Sequence, residues 1–191
     1  MRRTLVTVAA LVLVVVLPAA ALGARPAGTT KISSAGAGFI AVDPLDKNTC
    51  YRLTTTMLYD RFRDVAGDPG APSDYAQLTV SLDQYVCGGD VEVSEPVGMG
   101  LPDGSYLIKD LDSAYVDVDF TLPGTERTLH FWLAWVAYGP LHQATDTQGP
   151  TKVVSWESDA KLAGTVTDES AGLTWVPDGA GMSLGTYVFG Q

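Results

Sequence analysis

The chain has 191 residues, with 22 acidic side chains against 12 basic ones and a net charge of −10. That length supplies one domain with a sizeable core and is short for two. The negative charge repels polyanions, which excludes nucleic acid and anionic lipid surfaces as partners.

Residues 1–23 read as an export signal. Arg2 and Arg3 supply a positive start, and Leu5 to Leu17, apolar except for Thr7, has the length of a signal-peptide hydrophobic region. Pro18 ends the helix such a segment forms, because its ring removes a backbone donor and clashes with the preceding turn. Ala21-Leu22-Gly23 offers small residues where a signal peptidase reads, which places cleavage before Ala24. The apolar run is too short for a hydrocarbon core roughly 30 Å thick, so no integral membrane segment is expected after cleavage. The mature protein is expected to be secreted or associated with the cell wall. Loss of Arg2 and Arg3 leaves 10 of the 12 basic residues against 22 acidic ones, a net charge of −12. A single Asn, scarce Lys and plentiful Ala, Gly and Val fit a bacterium with a GC-rich genome.

Residues 24–36, mostly Ala, Gly, Thr and Ser, read as a flexible lead-in to a single all-β domain over residues 37–191. Cys50 and Cys87 are the only cysteines, and a lone pair in an exported domain forms a disulfide. With only two histidines besides, the pair makes no zinc-finger pattern. Only Met57 to Ala66 makes a case for a helix, and Thr54-Thr55-Thr56 before it favours strand.

Alternation with a period of two then dominates. Ala76, Leu78, Val80 and Leu82 share one strand face, and Ala114, Val116, Val118 and Phe120 share another, with Tyr115, Asp117 and Asp119 facing the other way. Pro123-Gly124 has the order of a type II turn. Thr128 to Tyr138, apolar on both faces in its middle, reads as a central strand. Leu162 to Val166, Ala171 to Val176 and Ser183 to Phe189 follow as strands. Turn signals fall at Pro69-Gly70, Gly88-Gly89, Pro102-Asp103-Gly104, Gly149-Pro150 and Pro177-Asp178-Gly179. About eight to ten short strands at this spacing predict an antiparallel β-sandwich, with a β-barrel as the alternative.

Catalytic machinery is sparse. Gly181-Met182-Ser183-Leu184-Gly185 has the G-x-S-x-G form of a nucleophile elbow, yet no His, Asp or Glu follows it as a triad requires. His130 and His142 are the only histidines, too few and too far apart for a zinc hydrolase or a serine hydrolase signature. The sequence thus leaves an enzyme undecided, with the balance against one, and names no cofactor beyond a candidate Ca²⁺.

Carboxylates are the abundant reactive group. Asp83 to Asp119 holds nine acids against the single base Lys109. Asp110, Asp112, Asp117 and Asp119 form a candidate Ca²⁺ set, because calcium takes six to eight oxygens and is available outside cells. Tyr115 stands where an EF-hand loop needs Gly. Asp117 and Asp119 could instead act as a catalytic pair on a glycoside. The alternative for the whole set is a solvated face that keeps strands from pairing edge to edge.

Trp132, Trp156 and Trp175 are candidate ligand-binding aromatics, able to stack on sugar rings or anchor a protein. Trp132 and Trp135 have opposite parity, which favours a strand covered on both sides. The sequence predicts an extracellular binding or interaction module, using its acids for a basic protein or its aromatics for a glycan of the cell envelope. Two alternatives stand beside it, a carboxylate-dependent cell-envelope hydrolase and a structural or assembly protein of the cell surface.

Overall fold

The computed structural model describes residues 28–64, 74–92, 94–148 and 151–189. The segment read as an export signal, the start of the expected lead-in, and the expected turns at Pro69-Gly70 and Gly149-Pro150 lie outside them. Ten strands run in chain order: β1 (Gly28–Val42), β2 (Thr49–Asp64), β3 (Tyr75–Val86), β4 (Val97–Gly100), β5 (Tyr106–Lys109), β6 (Ser113–Thr121), β7 (Thr128–Gln148), β8 (Thr151–Asp168), β9 (Leu173–Thr174) and β10 (Val176–Phe189). They form one antiparallel sheet in the order β4-β3-β2-β1-β10-β8-β7-β6-β5, with β9 added beside β8. The sheet curls into a half-barrel, the barrel-like form of the all-β fold that the alternation predicts.

The curl follows from which side chains face inward. Ala35, Ala37 and Phe39 of β1, Leu53 and Met57 of β2, and Leu78 and Val80 of β3 line one side of the core. Val116 and Phe120 of β6 and Leu129, Phe131, Leu133 and Trp135 of β7 line the other. Trp135 is 0% exposed, and its indole N–H reaches across the interior to the Gly36 carbonyl oxygen at 3.0 Å. A large ring whose one polar atom finds a partner can be buried without a desolvation cost. Gly164 of β8 has φ +106, and a Cβ there would collide with the Trp132 carbonyl oxygen. Glycine at that point lets β8 lie close against β7 where the sheet bends.

Sequence signals and structure differ at several places. Gly28–Gly36, expected as lead-in, is the first half of β1, because β2 and β10 supply hydrogen-bonding partners on both sides. The segment with a case for a helix continues β2 up to Asp64, following its threonines. Pro177-Asp178-Gly179 is no turn. It lies inside β10, where Phe39 pairs with Pro177 and Gly38 with Gly179, so Asp178 is the extra residue of a bulge. β7 does not stop at Gly139-Pro140. Those residues and Leu141 form a bulge opposite Ser158, and the strand resumes at His142.

Cys50 and Cys87 are joined in a disulfide across 37 residues of sequence, tying the start of β2 to the end of β3. Closing a loop of that length removes about 4 kcal/mol of chain entropy from the unfolded state. No helix among the described residues is long and apolar enough to cross a membrane.

Candidate functional site

The outward face of β6, β7 and β8 collects most of the polar chemistry that the sequence singles out. Alternation sends Tyr115, Asp117 and Asp119 of β6 to this face, with His130 and Trp132 of β7. The register sets Asp119 opposite His130 and Asp117 opposite Trp132. His130 Nδ1 lies 2.8 Å from Asp119 Oδ1, and its Nε2 lies 3.6 Å from Asp117 Oδ1. One imidazole thus lies between the two carboxylates, hydrogen-bonded to Asp119. The Tyr115 hydroxyl donates to Asp117 at 2.9 Å, and that bond, with burial and the carboxylate charge, raises the phenol above its ordinary pKa.

Beside His130 a cleft of about 580 Å³ is lined by Asp119, Glu126, Thr128, His130, Thr167, Glu169 and Ser170. Its size falls in the range of small-ligand sites. Its wall is held by a buried ion pair. Arg127 donates through Nε to Asp168 Oδ2 at 2.8 Å and through a second guanidinium nitrogen to the same oxygen. The Asp168 carboxylate also accepts from Ser170 Oγ and the Ala171 amide, which fixes the turn carrying Glu169. Arg127 is spent on Asp168 and on the Tyr51 ring, so no lysine or arginine lines the cleft. Three carboxylates and three hydroxyls face one histidine there.

Trp132 is 49% exposed and stands next to this cleft. The expectation of a strand covered on both sides therefore fails: β7 buries Trp135 and shows Trp132 to solvent. The other two candidate tryptophans are elsewhere. Trp156 pairs with Gln143 and Leu184 on the inward face of β8, half-buried. Trp175 is 9% exposed within the core cluster, with its indole nitrogen buried. The three do not share a surface.

Nor do the four carboxylates of the candidate Ca²⁺ set converge. Asp110 turns inward and accepts from Lys31 Nζ at 2.8 Å, from Ser33 Oγ at 2.9 Å and from Arg61. Partial burial raises its pKa, but these bonds and the Arg61 charge outweigh burial and hold it at about 2. Asp112 accepts from its neighbour Ser113. Among the described residues no three of His, Cys, Asp or Glu converge as metal ligands. Ser183 of the G-x-S-x-G match sits within β10 and shares a hydrogen bond of 2.7 Å with Ser34. A strand interior offers neither the sharp turn nor the following helix of an elbow.

Glu126, Glu169 and Ser170 were not visible as site residues in the sequence. The parity of Thr128, His130 and Trp132 was a usable signal for β7. Glu169 joins them only through the β7–β8 register, which pairs His130 with Thr167.

No protein-family model and no curated protein matches the chain. Among solved structures, the chain is similar to a crystal structure of a Nitrosomonas europaea protein provisionally assigned as AttH, at 12% identity and a TM-score of 0.42. The match covers 84% of this chain and 52% of that one, so the chain spans about half the length of this neighbour.

Proposed function

We propose that the protein is an exported binding module whose outer β6–β8 face captures a cationic partner, a basic segment of another protein. The observation that carries this reading is the adjacency of half-exposed Trp132 to a cleft holding Asp119, Glu126 and Glu169 with no lysine or arginine in its lining. A lysine or arginine head placed over the indole gains about 0.5–1 kcal/mol at an exposed site. Each exposed carboxylate contact adds on the order of 0.5 kcal/mol, so several are needed for useful affinity. The complex is correspondingly weak and sensitive to salt.

Titration of a hexalysine peptide against the tryptophan fluorescence tests this. Binding should weaken steeply between about 0.02 M and about 0.5 M salt, as exposed charges are screened. Trp132→Ala and the pair Asp119→Asn, Glu169→Gln should each weaken it about two- to fivefold. Binding of a neutral oligosaccharide with no dependence on salt would overturn the cationic reading in favour of a glycan.

The Asp119–His130 contact favours a second reading, hydrolysis in the cleft with His130 as a base oriented by Asp119. Turnover of a cell-envelope glycoside or ester that survives Asp119→Asn would end it.

A further inference from the structure

The sheet has terminal strands of contrasting character. β4 and β5, which end its strand order, are four residues each, and such short edges offer little for another chain to pair with. β7 is different. β6 accompanies it only as far as the pair of Ser113 with Val136. From His142 to Gln148 β7 pairs with β8 on one side, and no described strand pairs with its other side. The stretch Leu141-His142-Gln143-Ala144-Thr145 carries no Lys, Arg, Asp, Glu or Pro to guard that edge, and all five residues are exposed.

The direction of the open groups can be read from the register. The Ala137 amide donates to Asp112 on the β6 side, so odd-numbered amides of β7 point away from β8. The bulge sets Gly139, Pro140 and Leu141 opposite Ser158 alone, which adds two residues and preserves that parity. The Thr147 amide accordingly takes the Asp146 carboxylate at 2.7 Å instead of a neighbouring strand. Gln143 and Thr145 therefore present their N–H and C=O groups along the open edge.

We infer that this edge is a self-pairing site, joining β7 to β7 of a second copy of this chain in an antiparallel, two-fold symmetric dimer. With Ala144 on the axis, Gln143 of each copy exchanges both backbone hydrogen bonds with Thr145 of the other. The same register places His142 opposite Asp146 twice, a pairing of unlike polar groups that a shift by one residue on each copy would lose. Two-fold symmetry requires such self-complementarity of an isologous contact. Leu141, 59% exposed at the head of the strip, is brought against the far end of the second copy's strand. Asp146 is the one carboxylate that the strip brings to the contact, where the register sets it against His142, and the carboxylates of the outer face lie farther up β6 and β7.

Light scattering and sedimentation of the purified protein over a wide concentration range test this. The mass should double with concentration in the native chain. Thr145→Pro removes an edge-facing amide that β8 does not use, and Ala144→Lys places a charge on the axis beside its own copy. Each should raise the dissociation constant at least tenfold while leaving the circular dichroism and melting temperature of the monomer unchanged. The lysine variant keeps the test decisive if proline disturbs the strand. A native chain that stays monomeric at the highest soluble concentration would overturn the inference, as would a dimer unaffected by the lysine variant.

Discussion

The same strands behave differently in the two halves of the molecule. In one half, residues 35–42 of β1 and 128–137 of β7 face each other across the core, and the buried side chains are Phe39, Leu129, Phe131, Leu133 and Trp135. In the other, β1, β2, β8 and β10 continue with β7 as an edge, and buried positions include Thr30, Ser33 and Ser158. β1 keeps β2 and β10 as its partners through both halves. What separates them is β5 and β6, which roll over the first half and give its inward residues a second layer. A sheet one layer thick has only its own side chains to exclude water, and small polar residues, among them the hydrogen-bonded Ser33 and Ser158, replace large apolar ones there.

This contrast ranks the effects of substitution. The largest falls in the wrapped half. Trp135→Ala leaves a cavity the size of an indole and should cost about 4 kcal/mol by urea unfolding. Trp156→Ala, at a half-buried site in the single layer, should cost less than half as much. Equal losses would mean that the second half is as tightly packed as the first.

Arg127→Leu comes next. Asp168 is 3% exposed, and removing the guanidinium leaves a buried carboxylate without its cation. The cost of breaking such a pair is about 3 kcal/mol. The double variant Arg127→Leu, Asp168→Leu should recover most of that stability, because neither charge then remains in the core. It should not recover the cleft, whose Glu169 wall depends on the bonds Asp168 makes to Ser170 and Ala171. Loss of peptide binding with restored melting temperature would separate the site from the fold.

Much of the wrapped half was legible in the sequence, and much of the single layer was not. The strands at residues 76–82, 114–120 and 128–138 were found by parity, which works wherever one face meets a core. The paired cysteines and the Pro123-Gly124 turn, with Gly124 at φ +74, were readable from local chemistry. The first half of β1 was misread because Gly, Ala, Ser and Thr carry no hydrophobic alternation, and only its partners β2 and β10 make it a strand. Pro177-Asp178-Gly179 was misread for the complementary reason: turn-forming residues also build bulges, and β1 decides which. Of the site, Asp117, Asp119, His130 and Trp132 could be placed on strand faces. The separation of Asp110 from them could not, because it depends on Lys31 and Arg61 from strands far away in sequence.

Asp110 joins the two halves, and there the smallest effect is expected. It follows β5, the last strand of the wrap, at φ +44, a left-handed conformation that Asp tolerates in a tight turn. Its partners Lys31, Ser33 and Arg61 belong to the early part of β1 and the late part of β2. With a folded pKa of about 2 against about 3.9 unfolded, the carboxylate contributes stability above pH 4 and loses it as pH falls toward 2. Solvent reaches the group and screens the pair, leaving on the order of 1 kcal/mol, or roughly 2–4 °C in a chain of this size. Asp110→Asn should therefore lower the melting temperature at pH 7 by that amount, and the two melting curves should converge near pH 2. A difference that persists undiminished into acid would assign the effect of Asp110 to its turn conformation and not to the ion pairs that clasp the wrap against the open layer.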